Sequence, residues 1–121
     1  MISRGQVYFV DPDPTRRREQ AGRCPVLVVS SDSINRQPLV VTVVVGTDSA
    51  NVRHDYTTNV PVTSGEPGLP KDTVFLCFQI RSLDPARFMD ARTGLPALAG
   101  SLPRARMAEV ETAIRWALSL S

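Results

Sequence analysis

The sequence predicts a small α+β domain, mainly β: an SH3-like antiparallel barrel with a C-terminal amphipathic helix. Three observations point there. Short β-branched runs are separated by proline, glycine and aspartate, as in small barrels and sandwiches. The apolar period lengthens to a helical one after Pro103. The 121 residues suit one domain spanning 1–121, long enough to bury a core without disulfides or metals.

In chain order, Val7 and Phe9 alternate with Gln6 and Tyr8, and β-branched runs follow at Val26 to Val29 and at Leu39 to Val45. Turn formers divide these three expected strands at Asp11-Pro12-Asp13-Pro14 and at Gln37-Pro38. A second group covers Thr57 to Val62 and Val74 to Ile80, on either side of the break Gly65-Glu66-Pro67-Gly68-Leu69-Pro70. Pro61 lacks an N–H to donate, which assigns its strand to a sheet edge or places it at the strand's end. Asp84 to Met89 adds a short helical turn. From Pro103, Met107, Val110, Ile114, Ala117 and Leu118 recur at helical spacing, with Arg106, Glu109 and Arg115 between them. Ser101 is expected as the N-cap, Pro103 in the first turn, and Glu111 as a partner of Arg115.

Composition narrows the class. A hydrophobic fraction of 42% and a charged fraction of 21% are ordinary for a globular protein. No apolar run approaches the roughly 20 residues that span a bilayer, and the N-terminus carries no secretion signal, so cytoplasmic residence is expected. Two cysteines, Cys24 and Cys77, provide neither a disulfide framework nor closely spaced metal ligands, and no cofactor or metal is expected. The net charge of +2 is unevenly distributed: Arg16, Arg17, Arg18 and Arg23 face only Glu19 within one short stretch. That cluster reads equally as an anion site or as a solvated loop. His54, the single histidine, reads as a solvated loop side chain, Cys77 as a buried small hydrophobe, and Trp116 as a packing or interface residue.

The most specific signal lies in Ser3-Arg4-Gly5-Gln6-Val7-Tyr8-Phe9, Asp13-Pro14, Glu19-Gln20-Ala21-Gly22-Arg23-Cys24-Pro25-Val26-Leu27-Val28-Val29-Ser30, Asp32 and Asn35-Arg36, together with Gln79-Ile80-Arg81-Ser82-Leu83-Asp84. This order resembles the MazF/PemK family of toxin endoribonucleases of type II toxin-antitoxin systems, and it spans nearly the whole chain. The resemblance implies sequence-specific, metal-independent internal cleavage of single-stranded RNA, with mRNA as the expected substrate. It also implies a homodimer and a MazE-like antitoxin as partners.

The same resemblance implies the site. Thr47 stands where the family has a catalytic hydroxyl residue, and Cys24 occupies the position of the family's arginine, with Arg23 beside it. A thiol cannot replace a guanidinium as a two-pronged phosphate donor. Three readings stay open: Arg23 supplies the charge, the chain has weak or altered activity, or a substitution has replaced the arginine. Arg16, Arg17, Arg18, Glu19 and Gln20 fall in the family's RNA-facing loop. Gln79 and Arg81 are further RNA contacts, against the alternatives of backbone bonding for Gln79 and an ion pair with Asp84 for Arg81. Asp32 and Asn35 are sufficiently explained by turn and cap chemistry. The alternatives in function are a non-cleaving barrel toxin, such as a CcdB-like gyrase inhibitor, and a silent RNA or antitoxin binder.

Overall fold

The computed structural model describes residues 2–11, 23–37, 39–90 and 92–121. Along them run β1 (Gln6–Val10), β2 (Cys24–Val28), α1 (Asp32–Asn35), β3 (Val41–Asp48), β4 (Asn59–Val62), β5 (Thr73–Leu83), β6 (Leu98–Ser101) and α2 (Arg104–Leu118). Short 3-10 turns occupy Ser49–Asn51 and Pro85–Phe88, the latter inside the helical turn expected there. The strands pair antiparallel in the order β4-β5-β3-β2-β1-β6.

The continuous apolar runs have a physical cause, since both sheet faces are covered. Val7, Leu27, Val44 and Phe75 join Met107, Val110 and Ala113 of α2 in one cluster, while Tyr8, Val10, Val26, Val28, Val41, Val43, Leu83 and Phe88 form another. Alternate residues of β1 and β2 enter the two clusters, as strand geometry requires. Tyr8 meets Phe88 edge to face at 5.2 Å. Each buried side chain of this size stabilises the fold by roughly 1.5–3 kcal/mol relative to exposure.

Several boundaries differ from expectation. Leu39 and Val40 precede β3 and are exposed, and β5 continues to Leu83. β6, which sequence reading missed, contains no β-branched residue and is held by its pairing with β1. Pro61 lies on the edge strand β4, as its chemistry demands. Within β5, Ile80 faces Val44 while Leu76 faces Val45, so Cys77, Phe78 and Gln79 bulge between two registers.

The helix begins later than its expected cap. Ser101 ends β6, and Pro103 takes the N-cap position without a side-chain cap bond. Glu111 pairs with Arg4 at 2.9 Å rather than with Arg115, because its side of α2 faces the start of β1. Met107, Val110 and Ala113 form the buried stripe, whereas Leu118 is exposed. Among the described residues no helix is long and apolar enough to cross a membrane.

Candidate active site

Cys24 opens β2 opposite Val10, and Pro25 follows opposite Phe9. The β2–β3 ladder begins only at Val26, which places the proline at the strand's start, where it is tolerated. Beside this entry lies an open cleft of about 260 Å³. Phe9, Arg23, Cys24 and Pro25 line it from one side; Gly46, Thr47 and Asp48 of β3 contribute a second wall, and Leu69, Pro70 and Lys71 a third.

Gly46 makes the β3 wall close-fitting. A Cβ there would sit 2.9 Å from the Phe75 ring and 3.0 Å from the Thr73 methyl, so any larger residue would force those side chains to shift. Thr47 follows, with its hydroxyl accepting a hydrogen bond from Asn51 Nδ2 at 3.4 Å. Asp48 then caps the 3-10 turn that carries Asn51, its Oδ1 accepting from the Ala50 N–H at 2.9 Å. Its Oδ2 lies 3.3 Å from Lys71 Nζ. The Ala50 N–H and then the Lys71 hydrogen bond hold the Asp48 carboxyl below its usual range.

Arg23 also borders the cleft. Its Nη2 donates to Phe9 O at 2.9 Å and its Nη1 to Asp90 Oδ2 at 3.2 Å. The alternation of strand side chains disfavours a shared site for residues 23 and 24, but Arg23 precedes β2 and escapes that constraint. Burial pushes the Cys24 thiol up to about 11; the Arg81 charge opposes this and the Asp11 charge reinforces it. At neutral pH the thiol is therefore uncharged, a poor nucleophile that adds no negative charge beside a phosphate.

The structure thus brings Arg23, Cys24 and Thr47 to one cleft. Gln79, on the β5 bulge, and Arg81, opposite Val43, are exposed on β5 and are not part of its lining. Asp84 caps the Pro85–Phe88 turn through Ala86 N at 2.8 Å. Arg16, Arg17, Arg18, Glu19 and Gln20 lie outside the described residues. Asp32 and Asn35 perform local work: Asp32 Oδ1 accepts from Arg4 N and Asn35 Nδ2, while Asn35 Oδ1 accepts from Ser30 Oγ. Sequence reading missed Lys71, Asp48 and Gly46. A glycine inside a β-branched run, immediately before Thr47, was the available signal for the last.

Among the described residues, no group of three or more His, Cys, Asp or Glu side chains could hold a metal ion. The polar lining of the cleft comprises the cationic Arg23 and Lys71, the Asp48 carboxylate paired with Lys71, Thr47, Thr73 and an uncharged thiol, and its cations and hydroxyl groups suit an anionic ester.

The family model described as PemK-like, MazF-like toxin of type II toxin-antitoxin system matches residues 3–118. The chain belongs to this toxin family. A curated relative, Endoribonuclease MazF of Staphylococcus epidermidis, is 34% identical over 121 residues, covering 100% of this chain and 94% of that protein. An endoribonuclease in complex with its cognate antitoxin, from a mycobacterial species, superposes with a TM-score of 0.75 at 25% identity, over 100% of this chain and 98% of that one. The MazE-MazF structure from Deinococcus radiodurans (Form-III) matches with a TM-score of 0.69 at 20% identity, over 99% and 98% of the two chains, and supports the fold alone. The curled antiparallel sheet with its C-terminal helix is the architecture of MazF-like toxins.

Proposed function

We propose that this chain is the toxin of a type II toxin-antitoxin pair and a sequence-specific endoribonuclease that cuts single-stranded RNA internally without a metal. The observation that carries this reading is the convergence of Arg23, Thr47 and Lys71 on one cleft in a chain of this family. In the reaction, the ribose 2′-oxygen attacks the adjacent phosphorus as the bond to the 5′-oxygen breaks. The 2′-hydroxyl loses its proton and the departing oxygen gains one, giving a 2′,3′-cyclic phosphate and a 5′-hydroxyl end.

Negative charge grows on the phosphoryl oxygens along this path, and donors already in position stabilise it. Arg23 supplies guanidinium N–H groups from one wall, Lys71 a second positive charge from another, and Thr47 a hydroxyl between them. Arg16, Arg17, Arg18, Glu19 and Gln20, with Gln79 and Arg81 on β5, complete the proposed RNA contacts. Single strands suit such a site because splayed bases are read individually.

A MazE-like antitoxin, a homodimeric state and a cytoplasmic location belong to the same proposal. Tyr56, Phe78 and Trp116, exposed by 58%, 51% and 65%, border one shallow apolar hollow and offer a surface for contact between copies. The thiol at Cys24 favours one second reading, an RNA or antitoxin binder that does not cleave.

Incubating the purified chain with a long RNA in EDTA tests these readings. Defined fragments with 5′-hydroxyl ends are expected. RNA that is bound but stays intact would support the silent binder, and a gyrase-dependent effect with intact RNA would support a CcdB-like toxin.

A further inference from the structure

The structure assigns to Asp90 a role that rests on the reading above: we infer that it is a positioning residue, holding the Arg23 guanidinium at the cleft to take an RNA phosphate where Cys24 offers no positive charge. Arg23 is held from two separate elements. Phe9 O, on β1, accepts from Nη2 at 2.9 Å, and Asp90 Oδ2, from the segment after the Pro85–Phe88 turn, accepts from Nη1 at 3.2 Å. Two of the five guanidinium N–H groups are thus committed to fixing the plane of a side chain that borders the cleft with Thr47.

Asp90 is itself firmly placed. Its N–H donates to Leu95 O at 2.8 Å, and its carbonyl accepts from Gly94 N at 2.7 Å. Oδ1 accepts from Arg92 N at 2.8 Å, leaving Oδ2 turned to Arg23. Gly94 adopts φ 73°, which closes this turn at no steric cost, and Met89 bridges Pro96 beneath it. The Arg92 N–H and then the Arg23 side chain hold the Asp90 carboxyl below its usual range, so the anchor is charged at neutral pH. An arginine side chain is rich in rotamers, and restraining it before RNA arrives removes part of the ordering cost from binding. The restraint also explains why a carboxylate sits close to a site for an anion, where simple electrostatics disfavours it.

The test is a double-mutant cycle of Arg23→Ala and Asp90→Asn, read as kcat and KM on a long single-stranded RNA and as affinity for a strand blocked by 2′-deoxy substitution. Arg23→Ala is expected to lower kcat about 100-fold and to flatten the log-log salt dependence of binding by about 0.7. Asp90→Asn is expected to lower kcat about tenfold on the same scale and to weaken binding of the blocked strand severalfold, because Arg23 must then be ordered by the RNA itself. In the Arg23→Ala background it should do nothing more. Asp90→Glu should restore part of the loss, and thermal midpoints report folding separately. Additive effects, wild-type kcat in Asp90→Asn, or an unchanged salt slope in Arg23→Ala would overturn the assignment. If the parent chain binds RNA but never cleaves it, the nuclease reading falls; coupling in the affinity cycle then upholds Asp90 as the anchor of Arg23, and its absence rejects it.

Discussion

At the scale of single residues, the thiol of Cys24 stands at the entry to the cleft. Cys24 is uncharged at neutral pH, with burial pushing its thiol up to about 11, and it neither donates as a guanidinium does nor attacks as a thiolate would. Cys24→Arg is therefore expected to raise the cleavage rate by about 100-fold or more, the scale of adding one transition-state donor. An unchanged rate would mean that Arg23 and Lys71 already saturate the requirement. Thr47 sits at the opposite wall, half-buried and bonded only weakly to Asn51 at 3.4 Å. Thr47→Ala should lower the rate with little change in the thermal midpoint, and a large drop in that midpoint would make the hydroxyl structural instead.

At the scale of elements, β3 shows how backbone fit and chemistry share one strand. Gly46 lets β3 pass the fully buried Phe75 ring, and the next two residues are Thr47 and Asp48 of the cleft. A methyl added at Gly46 meets a ring that has no room to yield, which costs roughly 1–3 kcal/mol in overpacking. Urea denaturation of Gly46→Ala should show that loss, whereas Gly65→Ala, with nothing within 4 Å of the added Cβ, should not. Legibility in the sequence divides along the same lines. The β-branched runs of β2 and β3 and the helical period of α2 were readable because burial imposes them directly on residue type. β6 was not, since Leu98-Ala99-Gly100-Ser101 has no strand signature and exists through pairing with β1. Gly100 fits there because a Cβ would collide with Pro67 O, a long-range constraint invisible to local pattern. Lys71 and Asp90 escaped for a related reason: both are distant in sequence from the residues they serve, and only the fold brings Lys71 into the cleft lining and Asp90 against Arg23.

At the scale of the whole molecule, cleavage and partner binding place different demands on the same surface. Catalysis needs each donor at a set position around one phosphate, whereas an antitoxin tail needs only an exposed groove and positive charge. Arg23 and Lys71 provide that charge at the cleft, and acidic side chains of a MazE-like tail would occupy the place of RNA phosphates. The two ligands should therefore exclude one another even in a chain whose Cys24 has weakened the chemistry. Competition is expected in a fluorescence titration: the antitoxin tail displaces a labelled single strand completely, and added salt weakens both. The exposed Trp116, Phe78 and Tyr56 lead to the companion expectation that the chain sediments as a dimer at micromolar concentration and that Trp116→Ser shifts it toward monomer. A chain that is monomeric throughout that range would remove the homodimer from the proposal, and a ternary complex of toxin, RNA and tail would show that inhibition works without occupying the cleft.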